Sequence, residues 1–119
     1  MKRFGLELTT HVAVLGLTLG LVLPVNAQSG NVGPDYLLVI QDHRFKPDAL
    51  TVPAGKKIKL TIENRDATPE EFESHALNRE KVIPGKSTAT IFIGPLQPGR
   101  YPFVGEFNEK TALGVIVAQ

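Results

Sequence analysis

The residues most able to do chemistry in this chain are carboxylates. Glu70, Glu71, Glu73 and Glu80 fall within one loop region, and Glu106 and Glu109 within another. In an extended Glu71-Phe72-Glu73 segment, successive side chains point to opposite faces. The two glutamates then share one face, and Phe72 anchors the segment in the core. Their Cα atoms stand about 7 Å apart, twice the rise of a strand. Like charges that close repel, and a bound cation offsets the repulsion. Carboxylates are hard oxygen ligands suited to Mg²⁺, Ca²⁺, Mn²⁺ or iron, and an added imidazole favours iron, copper or zinc. His75 is the imidazole nearest in sequence to the pair. The competing reading is plain: exposed loop glutamates are usually just solvated, and Arg79, Lys81 and Lys110 are available as ion-pair partners. His43, between Asp42 and a turn, reads as a structural or solvent-facing residue.

Other chemistries find little support. Phosphate loops, nucleophile elbows and zinc-finger spacings are missing from the sequence. It has no Cys, which removes the ligand that soft metal sites favour. The serines are Ser29, Ser74 and Ser87. Ser74 stands next to His75, but neighbours on a strand face opposite ways and do not form a nucleophile–base pair. An enzyme is therefore disfavoured. Assistance of ferrous oxidation is the one activity a metal site would leave open.

The elements that must position these residues read as strands and turns. Tyr36–Ile40 is an apolar run with β-branched members, and Leu50-Thr51-Val52 a short strand before the turn Pro53-Ala54-Gly55. Lys57–Glu63 alternates polar and apolar with period two, as does Thr88–Ile93, with Ala89, Ile91 and Ile93 on one side. Asn64-Arg65-Asp66 opens a polar loop, and Pro84-Gly85 and Pro98-Gly99 mark turns. Tyr101–Val104 is a further strand, and Gly114–Val117 reads as a buried closing strand. The sole helical candidate is a short stretch between Glu70 and Arg79. Strands at this spacing predict an all-β sandwich or barrel.

The first residues read as something other than domain. Lys2 and Arg3 precede an apolar stretch, Val12–Leu23, followed by Pro24-Val25-Asn26-Ala27. Charge, apolar stretch and small-residue cleavage site form the order of a secretory signal peptide. An uncleaved anchor is the competing reading, but the stretch is shorter than the roughly 20 residues a membrane-spanning helix needs. No Cys follows it to carry a lipid. The predicted organisation is a signal peptide at 1–27, a flexible mature N-terminus at 28–35 and one domain at 36–119. Without Lys2, Arg3 and Glu7 the remaining charges balance. A neutral domain has no electrostatic footprint for nucleic acid or an anionic membrane surface.

Several segments together resemble a cupredoxin: Phe45-Lys46-Pro47, Leu50–Gly55, Lys57–Asn64, Pro98–Phe103 and Gly114–Val117. The resemblance covers residues 36–119 and implies a Greek-key β-sandwich. It also places Gly105 where a copper-binding member has its Cys, Asn108 where it has a His, and Thr111-Ala112 where Met is expected. The first His, shortly after Asn64, is missing as well. Type-1 copper needs a His₂Cys set, so no blue-copper site is expected. The segments Glu71-Phe72-Glu73-Ser74, Arg79–Gly85 and Gly105-Glu106-Phe107 resemble the EfeO-type cupredoxin-like proteins, periplasmic domains associated with bacterial iron uptake. That resemblance implies an iron or copper ion held by Glu71 and Glu73, with Glu80 and Glu106 at further acidic positions. His75 is a candidate extra ligand. Asn108 stands where many relatives have His. The implied partner is an iron permease or another periplasmic iron-uptake component. The alternative is a metal-free interaction module that docks on a permease or another exported protein.

Overall fold

The computed structural model describes residues 35–119, together with Gly16 and Gly20. Apart from those two glycines the expected signal peptide, and apart from Asp35 the expected tail, lie outside the described residues. Asp35, assigned to the tail, is already the first residue of a strand. No helix among the described residues is long and apolar enough to cross a membrane.

Two sheets pack face to face. The first has the order β2-β1-β4-β7, formed by Arg44–Lys46, Asp35–Gln41, Ile58–Asn64 and Ser87–Ile93. The second has the order β3-β9-β8-β5-β6, formed by Ala49–Val52, Leu113–Ala118, Gly99–Gly105, Glu70–Ser74 and Arg79–Ile83. The chain crosses between sheets after β2, β3, β4, β6 and β7, so most sequence neighbours are not sheet neighbours. Two pairings are parallel, β1 with β4 and β3 with β9, and the rest are antiparallel.

The alternation predicted for β4 is what builds the core. Ile58, Leu60 and Ile62 are fully buried, while Lys59, Thr61 and Glu63 between them are not. Ile91 and Ile93 of β7 and Leu38 and Ile40 of β1 lie on the same inner face. Phe72 and Phe103 come from the opposite sheet and meet Phe45 across the gap. The ring centroids of Phe45 and Phe103 are 4.9 Å apart and nearly perpendicular, and those of Phe72 and Phe103 are 5.1 Å apart. Burying a phenylalanine contributes about 1.5–3 kcal/mol, so this trio fixes how the sheets face each other. The closing strand differs from expectation. Only Ile116 and Ala118 of β9 are buried, because its outer face is open to solvent.

The helical candidate at Glu70–Arg79 is a β-hairpin instead. Glu70, Phe72 and Ser74 are buried and Glu71 and Glu73 are partly exposed, a period of two that no helix has. Ser74 fixes the turn: its hydroxyl donates to the Pro102 carbonyl at 2.7 Å and accepts the Leu77 N–H at 3.1 Å. Asn78 closes the turn with φ of 50°, a left-handed conformation that asparagine tolerates. β6 then runs along the sheet edge with only Ile83 buried.

Candidate functional site

β5 lies between β8 and β6, and its register decides which carboxyls meet. Phe72 pairs with Gly105 and Lys81, and Glu73 with Val104 and Glu80. One residue earlier, Glu71 faces Val82 of β6 and the point where β8 runs into a 3₁₀ turn, Glu106–Asn108. Three elements therefore deliver three carboxyls to the outer face of the second sheet. Glu71, Glu80 and Glu106 each offer an oxygen, and these oxygens lie within 4.8 Å of one another. Glu71 is half-buried and the other two are exposed.

Such crowding shows in the acidity of the central member. The Glu71 carboxyl is pushed up to about 7, first by the hydrogen bond it shares with Glu80 and then by desolvation. The charges of Glu106 and Glu80, and a hydrogen bond to Glu106, add to this. Cationic side chains do not relieve it. The ion pairs among the described residues join Asp35, Glu63, Asp66 and Glu73 to their partners, and none involves these three glutamates. Arg79, a candidate partner, donates instead to the Phe92 and Asn78 carbonyls. Three hard oxygen donors without a cation make an open tripod that a divalent ion would fit, with water completing its shell.

Glu73 and His75 stand apart from this group. Glu73 shares the outer face with Glu71, but its carboxyl pairs with His75 Nε2 at 3.2 Å. The His75 side chain is 93% exposed. The acids expected in loops are mostly elsewhere: Glu70, Glu71, Glu73 and Glu80 are in strands and Glu106 opens the 3₁₀ turn. Glu109 is not among the three that converge. His43 has a bracing role. It and Asp42 are left-handed, and their N–H groups donate to the two oxygens of Asp66 at 2.9 and 2.8 Å. Burial would raise the Asp66 carboxyl, but these donors, with the charges of His43 and Lys86, lower it on balance.

Glu70 counts among the clustered acids in the sequence but takes no role of its own there. It is 1% exposed and directly precedes the half-exposed Glu71. One of its oxygens accepts the N–H of Glu71 and that of Phe107, both at 2.9 Å. The other accepts from the Asn108 side chain at 2.6 Å. The signal was available: the alternation that turns Phe72 inward also turns Glu70 inward.

Glu70 lies against Gly105, the position that the cupredoxin resemblance gives to the thiolate of type-1 copper. A Cβ placed on Gly105 would lie 2.6 Å from the Ala112 Cβ and 2.7 Å from the Glu70 Cδ. Asn108 is committed to Glu70. Asn64 is buried and donates to the Thr68 and Ile83 carbonyls at 2.9 and 3.1 Å. Neither thiolate nor imidazole stands at Gly105 or Asn108, so the residues present do not fit a blue-copper centre.

Comparison with known proteins agrees with the architecture. A family model described as "Cupredoxin-like domain" matches residues 11–118, and the chain belongs to that family. An uncharacterized protein of Rickettsia prowazekii (strain Madrid E) is 45% identical over 80 residues, which are 67% of this chain and 64% of that protein. This chain thus spans somewhat less than two thirds of that relative's length. Among solved structures, auracyanin A, a "blue" copper protein from Chloroflexus aurantiacus, superposes with a TM-score of 0.63 at 13% identity, covering 72% of this chain and 98% of that one. The metal-binding domain of the Cu(I)-exporting P-type ATPase CopA from Streptococcus pneumoniae D39 gives 0.61 at 14% identity, covering 71% and 84%. A purple cupredoxin from Nitrosopumilus maritimus gives 0.56 at 16% identity, covering 71% and 100%. At such identities the likeness carries the fold alone. The protein is an all-β, two-sheet cupredoxin-like domain.

Proposed function

We propose that this domain is an exported metal-binding accessory of iron uptake. It holds a ferrous or cupric ion at Glu71, Glu80 and Glu106 and passes it to a membrane iron permease or another uptake component. The observation that carries the reading is the convergence of three carboxyl oxygens within 4.8 Å with no cationic partner among the described residues. At neutral pH Glu71 is partly protonated, and a bound ion would take the place of that proton. The site is shallow and two of its three members are exposed, which suits an ion that must be taken up and released. The resemblance of Glu71–Ser74 and Gly105–Phe107 to EfeO-type proteins supplies the link to iron, and the leader-like residues 1–27 supply the link to the periplasm.

A metal-free docking module is the second reading. Val82, opposite Glu71, and Phe107, next to Glu106, are 47% and 51% exposed and put apolar surface beside the acids. The two readings part on one experiment. Calorimetric titration of Fe²⁺ under anaerobic conditions, and of Cu²⁺ in air, should show one ion per chain. Glu71→Gln combined with Glu106→Gln should weaken it by about 100-fold or more, since each removes a charged ligand. Absence of binding would leave the docking module standing, and binding unchanged in the double variant would remove Glu71 and Glu106 as ligands.

A further inference from the structure

We propose that Glu70 is the positioning residue of the outer site, an inference that rests on the metal-binding reading above. The 3₁₀ turn carrying Glu106 has no buried side chain, and its N-cap, Gly105, makes no side-chain cap. The turn's own side chains therefore do not decide where it sits. On one side the loop closes on itself: the Gly105 N–H donates to the Ala112 carbonyl at 2.7 Å, and the Ala112 N–H to the Asn108 carbonyl at 2.8 Å. On the side facing β5, Glu70 supplies the hydrogen bonds. A single oxygen receives the N–H of Glu71 and the N–H of Phe107, each at 2.9 Å. That oxygen joins the backbone of one outer carboxyl, Glu71, to the residue after another, Glu106. The second oxygen takes Asn108, the last residue of the turn, at 2.6 Å. Glu70 thus ties the turn to β5 from inside the sandwich, against the glycine where a cysteine ligand would otherwise need room. Supporting groups of this kind set metal affinity by fixing where the ligands stand.

Glu70→Ala and Glu70→Gln separate positioning from charge. In Glu70→Gln the side-chain oxygen keeps both N–H groups, and the Asn108 amide rotates to present its oxygen to the new NH₂. The tie survives although the charge is gone. Fe²⁺ affinity should fall about 10–100-fold in Glu70→Ala and stay within about threefold of wild type in Glu70→Gln. Amide hydrogen exchange should show Phe107 and Glu71 losing protection in the alanine variant and keeping it in the glutamine variant. Equal losses in both variants would overturn the proposal, since charge or direct ligation would then be at work. Unchanged affinity in Glu70→Ala would overturn it too. Should Glu70→Ala fail to fold, Asn108→Ala removes one tie alone. It should speed Phe107 exchange, and an unchanged rate would refute the tie. If the wild-type protein binds no Fe²⁺, the metal reading fails by itself, and the Phe107 exchange rates still decide the role of Glu70.

Discussion

Glu70 and Glu71 are adjacent in the chain and differ in almost everything else. Glu70 lies inside the sandwich with donors for both oxygens, two backbone N–H groups and the Asn108 amide. Glu71 lies outside with two more carboxyls beside it and, among the described residues, no cationic partner. One step along a strand turns a side chain to the opposite face, and here it separates a satisfied acid from a crowded one. Burial of a carboxyl is tolerable when its hydrogen bonds are made, so the inner site has no use for an ion. Three carboxyls held together at a surface share protons with one another and repel once charged, and in the proposed reading an ion would relieve that repulsion.

The contrast can be broken from the inside first. Gly105→Cys restores the missing thiol but drives a Cβ to within 3 Å of Ala112 and of Glu70. Overpacking of this kind costs about 1–3 kcal/mol, read as a lower midpoint in chemical denaturation. Copper added to the variant should give no blue colour, because no imidazole waits there. A variant as stable as wild type and blue with copper would mean that the interior is not closed.

A smaller effect, about tenfold per pH unit, tests the outside. Glu71 holds its proton up to about pH 7, against an ordinary 4.5. Metal must displace that proton, so affinity should fall as pH drops below about 7 and level off above it. Stability without metal should run the other way. The folded state binds the proton more tightly than the unfolded chain, so stability falls as pH rises from about 4.5 to about 7 and is flat beyond. Thermal melts across that range, with and without Fe²⁺, would show both trends. Metal affinity independent of pH between 5 and 8 would remove Glu71 from the site.

The smallest effect sharpens where the outer site ends. His75 is almost fully exposed and touches Glu73 rather than the converging acids. Exposed ion pairs contribute little, so His75→Ala should change metal affinity less than about twofold. A tenfold loss would move the centre toward Glu73 and His75.

Much of the fold could be read in the chain before the structure, and the reason is local. Ile58, Leu60 and Ile62 alternate with Lys59, Thr61 and Glu63, and a half-buried strand is the one element with that period. Phe72 facing inward and Glu71 and Glu73 facing outward follow from the same rule. β6 was hidden because an edge strand with only Ile83 buried shows no alternation. The meeting of Glu71, Glu80 and Glu106 was hidden for another reason. It depends on pairing β5 with β6 and with β8, and the second of these joins residues about thirty positions apart. Local pattern carries no information on that register. Glu70 was legible by alternation, but a buried glutamate runs against the usual preference of charged side chains for the surface.

Anomalous diffraction from crystals soaked anaerobically in Fe²⁺ tests the central claim most directly. A peak bridged by oxygens of Glu71, Glu80 and Glu106, with Glu70 still bonded to Phe107 and Asn108, is the predicted result. A peak between Glu73 and His75, a peak inside beside Gly105 and Asn108, or no ordered peak in a fully soaked crystal would contradict it.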